Sequence, residues 1–327
     1  MNFSEYRVNG RPLSVFTSLA SELNFEKNKN YLFDLSYLGS LRFIGERAAE
    51  FLQGQVSCDI RKVTDKMMQQ GAICNLKGRV LALFDVIHWH GLQCILANDL
   101  LAATQFSLSK TAMLSRVKVE QTTAYQLYGF YLANPHDQLP ENMTLPETRF
   151  ALSGTAECCC YYLGNQCYLI LMTKGQASAF AQPFINSQQI RGSLAWHQLQ
   201  LRHKRVEIYP ETRGLFLPHR IDLHLSGHLS FDKGCYKGQE IVARTHYRAK
   251  LKHEVALFLI ETNEPLTAGK KLFLPNSNTE IGELIDYSPL ADEQYLVAIS
   301  ILHEHPNEAL IESHSKTVLL KPFASFP

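Results

Sequence analysis

A change of pattern near residue 250 constrains the fold most. Beyond it, residues 255–260, 271–275, 280–288, 294–302 and 316–323 form five strand-like runs separated by Pro, Gly, Asn and Ser. No helical spacing intervenes, so this part predicts a small all-β barrel or sandwich. The preceding chain mixes periods. Residues 41–44 predict a strand, after which Gly45 opens a helix with Ala48, Phe51 and Leu52 on one face and Gly54 where it stops. Residues 71–89 return to β-branched and aromatic types, with Lys77-Gly78 as a turn between two strands. Residues 100–114 have helical spacing, and residues 158–162 and 167–172 form a hairpin around Gly164-Asn165-Gln166. Strands and helices alternate irregularly, without the βαβ rhythm of a doubly wound sheet.

Length and charge narrow the class. At roughly 150 residues per domain, 327 residues predict about two, with a boundary in residues 245–255 that divides the chain into 1–245 and 246–327. A hydrophobic content of 46% against 19% charged argues for a packed core rather than disorder. Thirty-two Lys and Arg against thirty-one Asp and Glu leave a net charge of +1, which speaks against a DNA coat or a membrane-surface role. Glu5 comes early with no apolar run behind it, so no signal peptide is expected. The longest uncharged stretch, residues 158–173, is about 16 long, and a membrane span takes about 20. Eight cysteines without an export signal read as reduced thiols of a cytoplasmic protein.

Few motifs point to chemistry. His88-Trp89-His90 and His303-Glu304-His305 each place two imidazoles on one strand face, short of the three or four ligands zinc takes. Cys158 and Cys160 would face one way on a strand and Cys159 the other, and no C-x-x-C occurs, so no metal site is expected. The segment around Lys233-Gly234-Cys235-Tyr236-Lys237-Gly238-Gln239-Glu240 stands apart. Its two glycines permit a tight turn, and Gln239 onward reads as a helix start. Lys233, Lys237 and a helix N-terminus all favour a thiolate at Cys235. The residues alone leave two readings open: a reactive thiol, or a small buried one beside a turn.

This octapeptide resembles the K-G-C-Y-x-G-Q-E signature of the YgfZ family of folate-binding proteins. Phe43-Ile44-Gly45, then Phe51-Leu52-Gln53-Gly54-Gln55-Val56 and Asp59, is similar to that family's N-terminal strand–helix entry, and Asn75-Leu76-Lys77-Gly78-Arg79-Val80 to its K-G turn. The last two stretches are shared with the wider aminomethyltransferase superfamily. The resemblance implies an α+β fold: a three-domain ring of the aminomethyltransferase T-protein type. Two interleaved folate-binding domains would occupy 1–245 and a C-terminal β-barrel 246–327. It further implies tetrahydrofolate, or a one-carbon derivative, in the central hole, and support of iron–sulfur enzymes, including those that thiomethylate tRNA. Cys235 becomes the functional thiol, with Lys233, Gly234, Tyr236, Gly238, Gln239 and Glu240 around it. Trp196, in a W-x-x-L context with Leu199, becomes the folate platform, with Tyr236 as a further folate contact.

Three departures accompany the resemblance. A second platform aromatic falls on Leu38, and the adjacent Tyr37 would point away if both lay on a strand. The register that carries a catalytic Asp in the transferases gives Ala82, with Asp85 three residues on; an alanine relays no proton. The transferases' L-R-x-E becomes Leu199-Gln200-Leu201-Arg202, and a guanidinium only donates. Usual folate aminomethyl transfer is therefore disfavoured, leaving a transferase that uses Cys235 as the alternative to a binding factor. Finally, Arg244, His246, Arg248, Lys250 and Lys252 alternate with other residues. If extended, they make one cationic row, either a protected sheet edge or a landing site for an anion such as a folate polyglutamate tail or a tRNA phosphate.

Overall fold

The computed structural model describes residues 4–26, 28–135 and 144–324. Two sheets share the first part of the chain. The strand Tyr31–Asp34 belongs to a six-stranded sheet, but the chain leaves it at once for Leu38–Ile44, the fourth strand of a five-stranded antiparallel sheet. That sheet is completed by Gln69–Cys74, Val80–His88, Leu92–Ala97 and Lys118–Thr122. The chain then returns to the first sheet with Tyr125–Tyr131, which pairs with Tyr31–Asp34. The Lys77-Gly78 turn lies between Gln69–Cys74 and Val80–His88 as expected, and Cys158–Gly164 pairs antiparallel with Cys167–Thr173 as the expected hairpin. Cys159 packs in one hydrophobic core while Cys160 packs in another with Ile170 and Phe180, as strand alternation requires.

The helix Ser193–Arg202 runs through the middle, with residues 193–201 all buried. An amphipathic surface helix would carry its polar residues outward; here they face partners. Ser193 exchanges hydrogen bonds with Ser14, the His197 ring meets the Tyr287 carbonyl at 3.1 Å, and Gln198 donates to the Pro289 carbonyl at 3.0 Å. The helix thus ties the N-terminal hairpin, the central sheets and the C-terminal sheet together.

The C-terminal part is a seven-stranded antiparallel sheet containing the five expected runs, with two changes. Glu308–Ile311 is an additional strand, and the last expected run divides into Thr317–Leu319 and Lys321–Pro322. These two short strands lie at opposite edges of the sheet, yet only Leu320 separates them. The sheet must therefore curl until its edges nearly meet, and Leu320 is buried inside that curl.

Two local expectations need correction. Residues 244–252 are not an extended row, because the helix Gln239–Arg248 continues through Arg248 and a strand begins only at His253. Ile241, Val242 and Thr245 are the inward positions, so a spacing that mimicked period two belonged to a 3.6-residue period. Arg244 and Arg248 share an exposed helical face, His246 turns against Phe231, and Lys250 and Lys252 follow the helix. Nor do His88 and His90 share a strand face. The strand ends at His88, and His90 adopts φ 50° in the left-handed region, stacking on Trp89 with ring centroids 4.2 Å apart.

Candidate functional site

The octapeptide is a turn followed by a helix start, and its two glycines have different reasons to be there. Gly238 takes φ 85° immediately before Gln239–Arg248, and a Cβ on it would lie 2.3 Å from the Asn75 carbonyl oxygen and 3.3 Å from the Gly78 Cα. Gly78, itself at φ 69°, has room for no more than hydrogen beneath Ile241. The K-G turn and the octapeptide therefore pack backbone to backbone. Gly234 meets nothing within 4 Å of a built Cβ.

Lys233 is buried, with 7% exposure. Its ammonium donates to the carbonyls of Gln53 (2.7 Å), Val56 (2.6 Å) and Cys58 (2.7 Å), and lies over the Tyr236 ring at 5.1 Å. An ammonium has three N–H bonds, and all three are engaged. Burial lowers its pKa to about 8, which leaves it charged at neutral pH. Lys237 N–H adds a bond to the Gly54 carbonyl, and Ser230 N–H one to Ser57. Lys233 is thus a clamp that fixes the loop onto residues 53–58. Gln239 accepts from the Tyr236 N–H at 3.3 Å, and Glu240 pairs with Arg244 one helical turn on.

This clamp leaves Cys235 outside. It is exposed, whereas Cys158 is half-buried and the other six thiols are buried. Burial raises Cys58 and Cys74 to about 12 and Cys158 and Cys167 to about 11, so these stay protonated at neutral pH. Of the two readings open from sequence, the small buried thiol is excluded.

Between the sheets lies a central cavity, lined among others by Tyr37, Leu38, Gln70, Asp85, Trp196 and Arg205. Trp196 is among its lining residues and packs on Phe33 with ring centroids 5.3 Å apart. Gly129 lets the indole sit directly on the sheet, since a Cβ there would come within 2.5 Å of the ring. Tyr37 does not point away. It lies in the turn before the strand, where alternation does not apply, and it lines the cavity beside Leu38. Its hydroxyl donates to Glu207 at 3.0 Å, and Glu207 is held in turn by the buried Arg11 guanidinium at 2.9 Å.

Ala82, at the register position of the transferases' catalytic Asp, is buried in the core on the opposite face of its strand. Asp85, an odd number of residues further on, faces the cavity. Gln70 and Tyr161 donate to its two oxygens at 3.0 and 2.9 Å. Burial raises its pKa, while those hydrogen bonds and the nearby Arg205 oppose the rise. Gln70 Oε1 is buried without a hydrogen-bond partner among the described residues. Arg205 donates to Gln200 Oε1 at 2.7 Å, and His228, pushed down to about 3 by burial and by Arg149 and Arg205, is neutral. The cavity wall therefore offers an aromatic face, a carboxylate and an open amide oxygen.

The expected residues fall into two places. Trp196 lines the cavity; Lys233, Gly234, Cys235, Tyr236, Gly238, Gln239 and Glu240 do not. The connection between them is short: His228, in the cavity wall, has its carbonyl held by Ser57 Oγ at 2.7 Å, and Lys233 clamps the next carbonyls along that same segment. Asp85, Tyr37, Gln70 and Arg205 are additions from the structure. Only Asp85 and Tyr37 carried a sequence signal, through their positions beside the departures at Ala82 and Leu38. Among the described residues no group of three or more His, Cys, Asp or Glu side chains is placed to hold a metal ion, and no helix is long and apolar enough to cross a membrane.

No family model matches the chain. Individual proteins do. It is 27% identical over 243 residues to the tRNA-modifying protein YgfZ of Colwellia psychrerythraea, covering 72% of each chain. The resemblance to YgfZ proteins holds. The YgfZ protein of Vibrio atlanticus is 24% identical over 288 residues, 86% of this chain and 87% of that one. That of Hamiltonella defensa is 27% identical over 221 residues, 64% of each. Among solved structures, the glycine cleavage system aminomethyltransferase T of Bartonella henselae superposes with a TM-score of 0.74 at 16% identity, covering 99% of this chain and 94% of that one. The fold is therefore that of aminomethyltransferase T, with the curled antiparallel sheet at its C-terminal end.

Proposed function

We propose that this chain is a cytoplasmic tetrahydrofolate-binding factor that supports iron–sulfur enzymes and, through them, tRNA modification such as thiomethylation. The observation that carries the folate part is the cavity wall. Trp196 offers a stacking face, while Asp85 and the open Gln70 Oε1 offer acceptors. A reduced pterin presents a flat face and an edge of N–H donors, which need acceptors in a buried site. The carboxylate lost from the transferase register is in effect supplied from the other face of the same strand. The tRNA part rests on the names of the relatives and on the exposed thiol at Cys235, which is free to meet a partner protein. Cys235 is not among the residues that line the cavity, which weighs against the alternative, a folate-dependent transferase with Cys235 as its reacting group.

Tetrahydrofolate titrated against tryptophan fluorescence tests this reading. Trp89, the other tryptophan, donates its N–H to the Thr155 carbonyl and stacks on His90 away from the cavity. The response is expected to saturate, to disappear in Trp196→Phe, and to need at least tenfold more ligand in Asp85→Asn. No saturable response in the wild type would overturn folate binding. Full restoration of iron–sulfur enzyme activity in a deletion strain by Cys235→Ser would overturn the thiol's role.

A further inference from the structure

A second pocket lies where the helix Gln239–Arg248 passes into the C-terminal sheet. Its wall includes His219, Arg220, Thr245, Lys250, Lys252 and His253, and it contains no carboxylate. Lys250 and Lys252 are exposed, and neither ammonium has an ion-pair partner among the described residues. Arg220 approaches Glu283, which is not in that wall, at 3.6 Å. A surface cluster of lysines alone would be unremarkable as a solvated patch. His219 makes this one different, because it is only 2% exposed and both of its ring nitrogens are buried without a hydrogen-bond partner.

An imidazole with neither nitrogen satisfied is costly in a folded protein, since each orphaned group loses its water without replacement. Its neighbours offer little relief: His224 and His246 approach with ring centroids 4.9 and 5.9 Å away. Burial, reinforced by those two rings, pushes His219 down to about 4, so it is neutral and carries one N–H. That N–H needs an acceptor, and Arg220, Lys250 and Lys252 in the same pocket wall favour an anionic one.

We infer that this pocket binds a phosphate group, with Lys250, Lys252 and Arg220 supplying positive charge and His219 a hydrogen bond from its floor. A tetrahedral oxyanion with several acceptor oxygens matches donors arriving from the turn at Pro218–Ile221 and from residues 250–252 together. The helix Gln239–Arg248 spans about 15 Å at 1.5 Å per residue. It separates this pocket, at its C-terminal end, from Cys235 before its first turn. The inference does not depend on folate occupying the central cavity.

The source of the phosphate distinguishes a small phosphorylated ligand from an RNA backbone, and one set of titrations separates them. Inorganic phosphate, adenosine monophosphate and a short single-stranded RNA would be titrated by calorimetry into wild type, Lys250→Ala/Lys252→Ala, Arg244→Ala/Arg248→Ala and Trp196→Phe. Saturable binding is expected in the wild type and should weaken at least tenfold in the Lys250/Lys252 variant. The Arg244/Arg248 and Trp196 variants should bind as the wild type does. Because both lysines are exposed, the double variant should keep its melting temperature, so a loss of binding cannot be assigned to unfolding. Tighter binding of the RNA, with a salt slope reduced by about 1.5 in the Lys250/Lys252 variant, assigns the site to a phosphodiester backbone. Tighter binding of the mononucleotide assigns it to a phosphomonoester. No saturable binding of any probe, equal affinity in the Lys250/Lys252 variant, or an equal loss in the Arg244/Arg248 variant would overturn the inference.

Discussion

The central cavity and the octapeptide loop dispose of their charged and reactive groups in opposite ways. The cavity takes titratable groups inward, where Asp85 and Arg205 line it beside Trp196. The loop buries its cation against three carbonyls and leaves its thiol at the surface. The first arrangement suits selective binding of a small molecule, because desolvated polar groups discriminate strongly against ligands that leave them unpaired. The second suits encounter with another macromolecule. The clamp also shows that Lys233 serves the site by holding the loop in shape, with no N–H left over for Cys235.

The contrast can be broken most forcefully at Gly238. A valine there places Cβ against the Asn75 carbonyl and forces a β-branched residue to φ 85°, so Gly238→Val is expected to cost about 4 kcal/mol. Gly234→Ala, with nothing near its Cβ, should change stability by less than about 0.5 kcal/mol. Urea denaturation of the two variants checks this, and equal losses would show that the glycines act alike. Next in size, Lys233→Met removes three charge-assisted hydrogen bonds and leaves three carbonyls to find water, for an expected loss of about 3 kcal/mol. A loss below about 1 kcal/mol would mean that the clamp contributes little.

A smaller effect sharpens the cavity side. His228 has its folded pKa depressed to about 3 against an ordinary 6.5. Between those values the unfolded chain binds a proton that the folded protein refuses, so this ring's contribution is present above pH 6.5 and is lost as pH falls. At 1.36 kcal/mol per pH unit, the loss by pH 5 is about 2 kcal/mol. Wild type should therefore destabilise more than His228→Gln between pH 7 and pH 5 when melting temperatures are compared. His203 and His219, both lowered to about 4, steepen the acid limb of both proteins in the same direction. His197, raised through Asp286, acts in the opposite sense.

What could be read from sequence was governed by local turn chemistry. The Lys77-Gly78 turn, the Asn165-Gln166 hairpin and the helix starting at Gln239 are each specified within a few residues, and each is found. Features that depend on distant partners were not legible. Lys233 is a sequence neighbour of Cys235, but its partners are carbonyls far away in the chain. Asp85 required knowing which strand face borders the cavity, and Tyr37 required knowing that its strand had not yet begun. The alternating cations of 244–252 misled because Arg244, Arg248 and the residues between them also fit a helical turn, and the inward positions Ile241 and Val242 decide the matter.

The backbone contact between Gly78 and Gly238 has a consequence for how such a sequence can drift. Gly238 is closed to side chains by the backbone of the Gly78 turn, and Gly78 by the Ile241 side chain of the helix that Gly238 opens. A substitution at one glycine thus has no compensating change available at its counterpart. The two turns are inherited as a single indivisible trait, although the chain writes them far apart.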